Sequence, residues 1–264
     1  MKEVPFDIAR QKMLDILVDV SSFCDEHNLV YFLGYGTLIG AIRHKGFIPW
    51  DDDIDIEMPR PDYERFLTLY RASGKYSLIR PEDKGCCFLW SKIYDDETIK
   101  VEKGIDYSIC PHLGIDIDIF PLDGQPDSNH FEEFKVATNK RIQLYKKISS
   151  CYRPYSGLPL LNKMYTFIWR IYGADRLKKQ YLISAQQFDY SNSSMVGFNS
   201  PLSKYKNRHR KETYRLRTKV LFENHLFWAP IGYDEILSDI YGDYMQLPPE
   251  EKQITHHKNN VYWK

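Results

Sequence analysis

Two short stretches limit what this chain can fold into more than any other feature. Asp53-Ile-Asp55-Ile-Glu57 and Ile115-Asp116-Ile-Asp118-Ile119 each alternate carboxylate and isoleucine with a period of two. A helix would scatter that pattern around its surface, whereas a strand sends every second side chain to the same face. Each stretch is therefore expected to be a strand, with one apolar face toward a core and one face carrying paired carboxylates. Asp53 beside Asp55, and Asp116 beside Asp118, repel each other, so a cation must neutralise them if both are to stay ionised among apolar neighbours. A hard divalent ion, Mg²⁺ or Mn²⁺, prefers oxygen ligands of this kind, and a third carboxylate from a neighbouring strand would complete a one- or two-ion site. The competing reading is an edge strand whose aspartates discourage aggregation, a task that lysine usually performs.

The segments around these strands set the fold class. Residues 7–28 place Met13, Leu17, Val20, Phe23 and Cys24 at helical steps, predicting an amphipathic scaffold helix. The apolar run Leu29 to Leu33 ends in Gly34-Tyr-Gly36-Thr37, and helical spacing resumes over Leu38 to His44. Gly36 and Thr37 thus lie where a strand hands over to a helix, a junction whose backbone N–H groups can face an anion. A helix over residues 61–73, strands over 76–79, 88–94, 98–101 and 114–120, and a turn over 121–124 follow. The remainder reads mainly helical, over 128–149, 160–172, 174–189 and 233–241. Strands first and helices later predict an α+β fold rather than a regular βαβ array, with residues 1–264 as one domain, 1–125 as its mixed-sheet core and 126–264 as a largely helical extension.

Composition removes several function classes. The chain of 264 residues is 43% hydrophobic and 27% charged, as a folded domain is, and it has no apolar run approaching the ~18–20 residues that span a bilayer. A cytoplasmic protein is expected. Five cysteines are an odd number, and Cys86, Cys87, Cys110 and His112 lack the paired spacing of a zinc site, so buried free thiols are expected. An EF-hand would need Gly at Ile56 and Glu at Asp62. The glycines at 34, 36 and 40 miss the dinucleotide-binding spacing by one.

Net charge is zero, yet residues 1–132 hold 14 Lys and Arg against 25 Asp and Glu, leaving 22 against 11 beyond them. Such a division suits an acidic metal site opposite a basic surface for a polyanionic substrate, while two solvated faces are the simpler reading. Lys204 to Lys219 carries eight Lys or Arg among 16 residues and is weighed in the same two ways. Leu160 to Tyr172 sets Lys163 and Arg170 against Met164, Phe167, Ile168 and Ile171. It is expected to pack in the core, with a helix lying on an anionic membrane as the alternative. Arg43, His44 and Lys92 are candidate phosphate ligands, and Trp50 is one of many aromatic residues that could face a quaternary ammonium group.

The run Gly36-Thr-Leu-Ile-Gly-Ala-Ile-Arg-His-Lys-Gly-Phe-Ile-Pro-Trp-Asp-Asp-Asp-Ile-Asp-Ile56 resembles the signature of LicD-type phosphotransferases. Lys92 to Thr98, Ile117 to Gly124 and Tyr241 to Pro249 are similar to further segments of that family, the resemblance being weakest between about 150 and 215. It implies a nucleotidyltransferase-like fold, similar also to the catalytic domain of fukutin-related protein. It further implies transfer of a phospho-alcohol group, typically phosphocholine from CDP-choline or a related CDP-alcohol, to a bacterial surface glycan such as teichoic acid, lipopolysaccharide or capsule. By the same resemblance Asp53, Asp55 and Asp118 hold the metal and Gly36-Thr37 forms the donor-side turn, while Asp51, Asp52 and Asp116 are candidate general bases. A lipid-linked acceptor would place the protein at the inner face of the cell membrane, and no nucleic-acid partner is expected. A nucleotide-sugar-dependent glycosyltransferase and an inactive glycan- or nucleic-acid-binding scaffold are the alternatives.

Overall fold

The computed structural model describes residues 1–71, 74–200, 207–255 and 260–264. Helix α1 (Phe6–Glu26) leads into a short strand β1 (Phe32–Leu33), then α2 (Tyr35–Ile39), which continues as a π-helical turn over Gly40–His44. Strand β2 (Asp55–Pro59), helix α3 (Arg60–Leu69), strands β3 (Tyr76–Ile79), β4 (Ser91–Asp95) and β5 (Thr98–Val101), and the long strand β6 (Asp116–Gln125) complete the first half. The second half contains α4 (Phe131–Cys151), α5 (Leu160–Tyr172), α6 (Ala174–Ala185), β7 (Met195–Gly197), β8 (His209–Arg210), β9 (Arg217–Phe222), β10 (His225–Pro230), α7 (Tyr233–Tyr241) and β11 (Asn260–Trp263).

The main sheet has the order β1-β2-β6-β4-β3, with β7 and β8 extending from the far half of β6. It is mixed: β2 and β6 are parallel, and the other neighbours are antiparallel. This is the expected α+β architecture, without a doubly wound parallel sheet. Alternation decides the two faces. Leu33, Ile56, Met58, Ile93, Ile117 and Ile119 point into the main core against Leu17, Val20 and Cys24 of α1 and Phe66 of α3. The alternate positions, Asp55, Glu57, Asp116, Asp118 and Lys92, therefore share the opposite face.

Three differences from the sequence reading have physical causes. Residues Pro121 to Gly124, expected as a turn, continue β6. The missing N–H of Pro121 costs no ladder bond on that side, because β4 pairs only as far as Ile119 and β7 begins at Asp123. Asp53, expected on the strand, precedes β2, which starts at Asp55 where the pairing with β6 starts. The C-terminal part, helical as expected, also supplies strands. Its β9–β10 hairpin is closed by Glu223 and Asn224, both at positive φ (48° and 65°), the backbone of a two-residue hairpin turn. The Glu223 backbone N–H bonds the Lys45 carbonyl, and its carboxylate accepts from the Phe47 N–H at 3.0 Å, so the hairpin tip braces the loop leading to the aspartates.

Candidate functional site

Asp55 of β2 and Asp118 of β6 stand opposite each other in register on parallel strands, and Lys92 of β4 stands opposite Asp118 on its other side. The sheet thus sets carboxylate, carboxylate and ammonium in one row. Asp116, one pleat along β6, lies on the same face. The Lys92 ammonium is 2.5 Å from Asp118 and 3.2 Å from Asp116, and Lys100 of β5 pairs with Asp116 from the other side.

The two aspartates of β6 consequently differ in charge environment. Burial would raise the Asp116 carboxyl, but Lys100 and Lys92 outweigh it and hold Asp116 below the ordinary range. Asp118 is raised, burial exceeding the help it receives from Lys92. Asp55 is raised well above the usual carboxylate value by burial, then by Asp53, Asp118 and Asp51, with Lys92 opposing most weakly. Its neighbourhood is one of accumulated negative charge.

The backbone around Asp55 is tied down. Its N–H donates to the Thr37 hydroxyl at 2.8 Å, and its carbonyl accepts from the Gly34 N–H at 2.9 Å. Thr37 is buried and acts here by positioning Asp55. Gly36 makes room for Asp51: a Cβ at that position would lie 2.7 Å from the Asp51 carboxylate. Asp51, Asp52 and Asp53, all half-buried, bring carboxylate oxygens within 4.8 Å of one another. Arg10 of α1 fixes their loop, its guanidinium donating to the carbonyls of Ile48 (2.8 Å), Pro49 (3.0 Å) and Asp51 (2.7 Å). The donor set fits a divalent cation: oxygen ligands on two adjacent strands and a preceding loop, with like charges converging on Asp55. Of the ligands the sequence suggests, Asp55 and Asp118 stand side by side in the sheet, while Asp53 lies in the loop with Asp51 and Asp52, the group whose oxygens converge.

The other candidates fall at the margin of this row. Arg43 donates to the carbonyls of Tyr244 and Gln246, which fastens the segment after α7 to the π-helical turn. Burial, then Arg43, lower the His44 imidazole, and its ring stands edge-on to Trp50 at 6.4 Å. Lys92, proposed from sequence as a phosphate ligand, spends its charge on Asp118 and Asp116. Sequence reasoning passed over Arg10, Lys100 and Tyr241. The Tyr241 phenol is raised by burial and then by the charges of Asp55, Asp51, Asp53 and Glu57. Arg10 and Lys100 had no local signal, because they act on residues far along the chain.

A cavity of about 460 Å³ opens beside the row, with Asp52, Asp53, Asp118 and Lys92 at its polar end and Phe88 and Trp90 in its apolar wall. The cysteine-rich zinc arrangement does not form: among the described residues Asp51, Asp52 and Asp53 are the group of metal-ligating type brought together, and His112 stacks on Tyr107 at 4.1 Å. All five cysteines are free, and four are buried. Of the basic stretch Lys204 to Lys219, residues 204–206 lie outside the described residues. Beyond them, Arg208 bonds the Pro126 carbonyl, Arg210 pairs with Glu235, Lys211 bonds the Tyr190 carbonyl and Lys219 pairs with Asp25. Much of that charge is engaged within the protein.

Residues 28–167 match the family model described as "LicD/FKTN/FKRP, nucleotidyltransferase domain". The chain is 32% identical over 99% of its own length and 99% of the length of the lipopolysaccharide cholinephosphotransferase LicD of Haemophilus influenzae. It is also 32% identical over 95 residues to human ribitol 5-phosphate transferase FKRP, a match covering 36% of this chain and 17% of that protein. The chain belongs to the LicD family.

Proposed function

We propose that this protein is a metal-dependent phosphotransferase that moves phosphocholine from CDP-choline to a hydroxyl of a bacterial cell-surface glycan or its lipid-linked precursor and releases CMP. The observation that carries the reading is the end-to-end similarity to a lipopolysaccharide cholinephosphotransferase. The shorter match to a ribitol 5-phosphate transferase supports the same reaction class with a different alcohol.

The site chemistry supports it. A divalent cation held by Asp53, Asp55 and Asp118 would neutralise the donor's phosphates and polarise the phosphorus under attack. The acceptor oxygen forms a bond to that phosphorus as the bond to CMP breaks, and the hydroxyl proton passes to a carboxylate. Asp116 is the poorest base of the candidates, since two lysines hold it below the ordinary range. Asp52 and Asp116 line the cavity and Asp51 does not, so with Asp116 held by two lysines Asp52 is the better placed. Thr37, Gly36 and Arg10 act by fixing Asp55 and the aspartate loop.

Calorimetric titration with CDP-choline, CDP-ethanolamine, CDP-glycerol and a nucleotide sugar, each with Mg²⁺ and with EDTA, tests the reading. Mg²⁺-dependent preference for CDP-choline is expected. Preference for another CDP-alcohol would keep the reaction and change the headgroup. Binding of the nucleotide sugar alone, or of no CDP-alcohol, would overturn the proposal.

A further inference from the structure

Helix α5 is mounted with its apolar side outward. Eight large apolar or aromatic residues, Leu160, Leu161, Met164, Tyr165, Phe167, Ile168, Ile171 and Tyr172, recur at three- and four-residue steps and are all exposed, Leu161 by 78% and Ile171 by 70%. The opposite side, which faces the protein, is more polar. Thr166 is buried and bonds the Ser150 hydroxyl at 3.1 Å, while Arg170 donates to the Cys151 carbonyl and the Asp106 carboxylate, both at 2.7 Å. The core packing expected from the sequence is thus reversed. A contiguous exposed stripe of this kind marks an interaction surface.

The charge near the stripe argues for one occupant. From residue 134 to residue 174 the chain carries eight Lys or Arg and no Asp or Glu. Lys140 and Lys146 on α4, Arg153 in the connection and Lys163 on α5 are exposed, whereas Arg141 is buried, Lys135 and Arg170 pair with Glu132 and Asp106, and Lys147 lies over the Trp169 ring. An apolar stripe with exposed Lys163 on its own helix and exposed Arg153 just before it is complementary to a lipid surface with anionic headgroups, where the apolar side enters the acyl boundary and these cations meet the phosphates. The helix is too short to do more: 13 residues rise about 20 Å, and no described helix is long and apolar enough to cross a bilayer.

We propose that α5 docks the protein on an anionic membrane, lying in the plane of the headgroups. The inference does not depend on the phosphotransferase reading. A membrane-resident acceptor would give such docking a purpose, but the surface exists whatever the reaction.

Flotation of the full chain with vesicles tests it, using phosphatidylglycerol mixed with phosphatidylcholine and phosphatidylcholine alone. The protein is expected to float with the anionic vesicles and to be released as salt rises. Leu161→Asp combined with Ile168→Asp is expected to weaken partitioning at least about ten-fold, and Lys163→Glu with Arg153→Glu several-fold, with unchanged circular dichroism. Because these side chains are exposed, the variants should fold, and the wild-type flotation stands as a test without them. Failure of the wild type to float would overturn the proposal, as would unaltered flotation of the aspartate variant or equal flotation with phosphatidylcholine alone. A dimer seen by light scattering that the aspartate variant dissolves, with no flotation, would assign the face to a second copy of the chain.

Discussion

Asp55 and Asp118 face each other in register across adjacent parallel strands, so a buried carboxylate and a half-buried one are held side by side by backbone hydrogen bonding. A flexible loop could relax such repulsion by moving apart; a sheet cannot. The Asp118 N–H bonds the Ile54 carbonyl at 2.9 Å and the Asp55 N–H bonds the Thr37 hydroxyl at 2.8 Å, which closes the remaining freedom. The fold therefore maintains an electrostatic conflict that a cation would relieve.

Neutralising one partner should separate function from stability. Asp55→Asn removes charge from the most crowded position, so the metal-free variant is expected to melt a few degrees higher than the wild type, about 2–4 °C for each kcal/mol of relief. Its phosphotransfer rate should fall by about 10²–10³ or more. Mg²⁺ should raise the melting temperature of the wild type and not that of the variant. Equal Mg²⁺ stabilisation of both proteins would remove Asp55 from the ligand set.

Lys92 offers a second test, because its buried ammonium pairs with two carboxylates, Asp116 buried and Asp118 half-buried. Lys92→Met leaves Asp118 and part of Asp116 uncompensated, and breaking a buried pair in this way costs about 3–5 kcal/mol. Urea denaturation should show that loss in the midpoint. A phosphate-binding lysine without a structural role would instead leave stability near wild type and raise the donor KM alone.

The strands and their carboxylates were legible because period-two alternation survives in a single sequence. Asp53-Ile-Asp55-Ile and Ile117-Asp118-Ile show which side chains share a face, but register between residues 63 apart in the chain is decided by packing, and no local pattern contains it. The same limit hid Lys100, which reaches Asp116 from β5, and Arg10, which holds the aspartate loop from α1. The β9–β10 hairpin was missed although Val220-Leu221-Phe222 and Asn224 carry a strand and turn signal, because the many charges around them drew the reading toward surface. Helix α5 was misplaced for the opposite reason. Amphipathicity reveals that a helix has an apolar side, and only the mounting by Thr166 and Arg170 decides where that side points.

Gly36→Ala separates positioning from folding. Gly36 lies in α2 without a positive φ, so alanine suits the helix and should leave the melting temperature within a few degrees of wild type. Its Cβ would meet the Asp51 carboxylate at 2.7 Å, which must move. Phosphotransfer is expected to drop about 10²-fold, the scale of a small displacement at a reacting centre. Full activity in the alanine variant would show that the position of Asp51 does not matter to the reaction.

His209 predicts the acid limit of stability. The ring is buried, and its Nδ1 lies 3.3 Å from Asp239. Burial lowers its pKa, and the help from Asp239, then Glu235, does not restore it. The folded state therefore binds the proton less readily than the unfolded chain, whose histidine titrates near the ordinary 6.5. Above that pH both states carry a neutral ring and the group makes no difference. As pH falls below it, the unfolded state gains protons that the folded state refuses, and stability declines by at most about 1.4 kcal/mol per pH unit for this one group. Denaturant midpoints measured between neutral and mildly acidic pH should fall for the wild type and fall less steeply for His209→Gln, which keeps a polar ring-sized group without the titration. Identical slopes would show that His209 takes no part in the acid response.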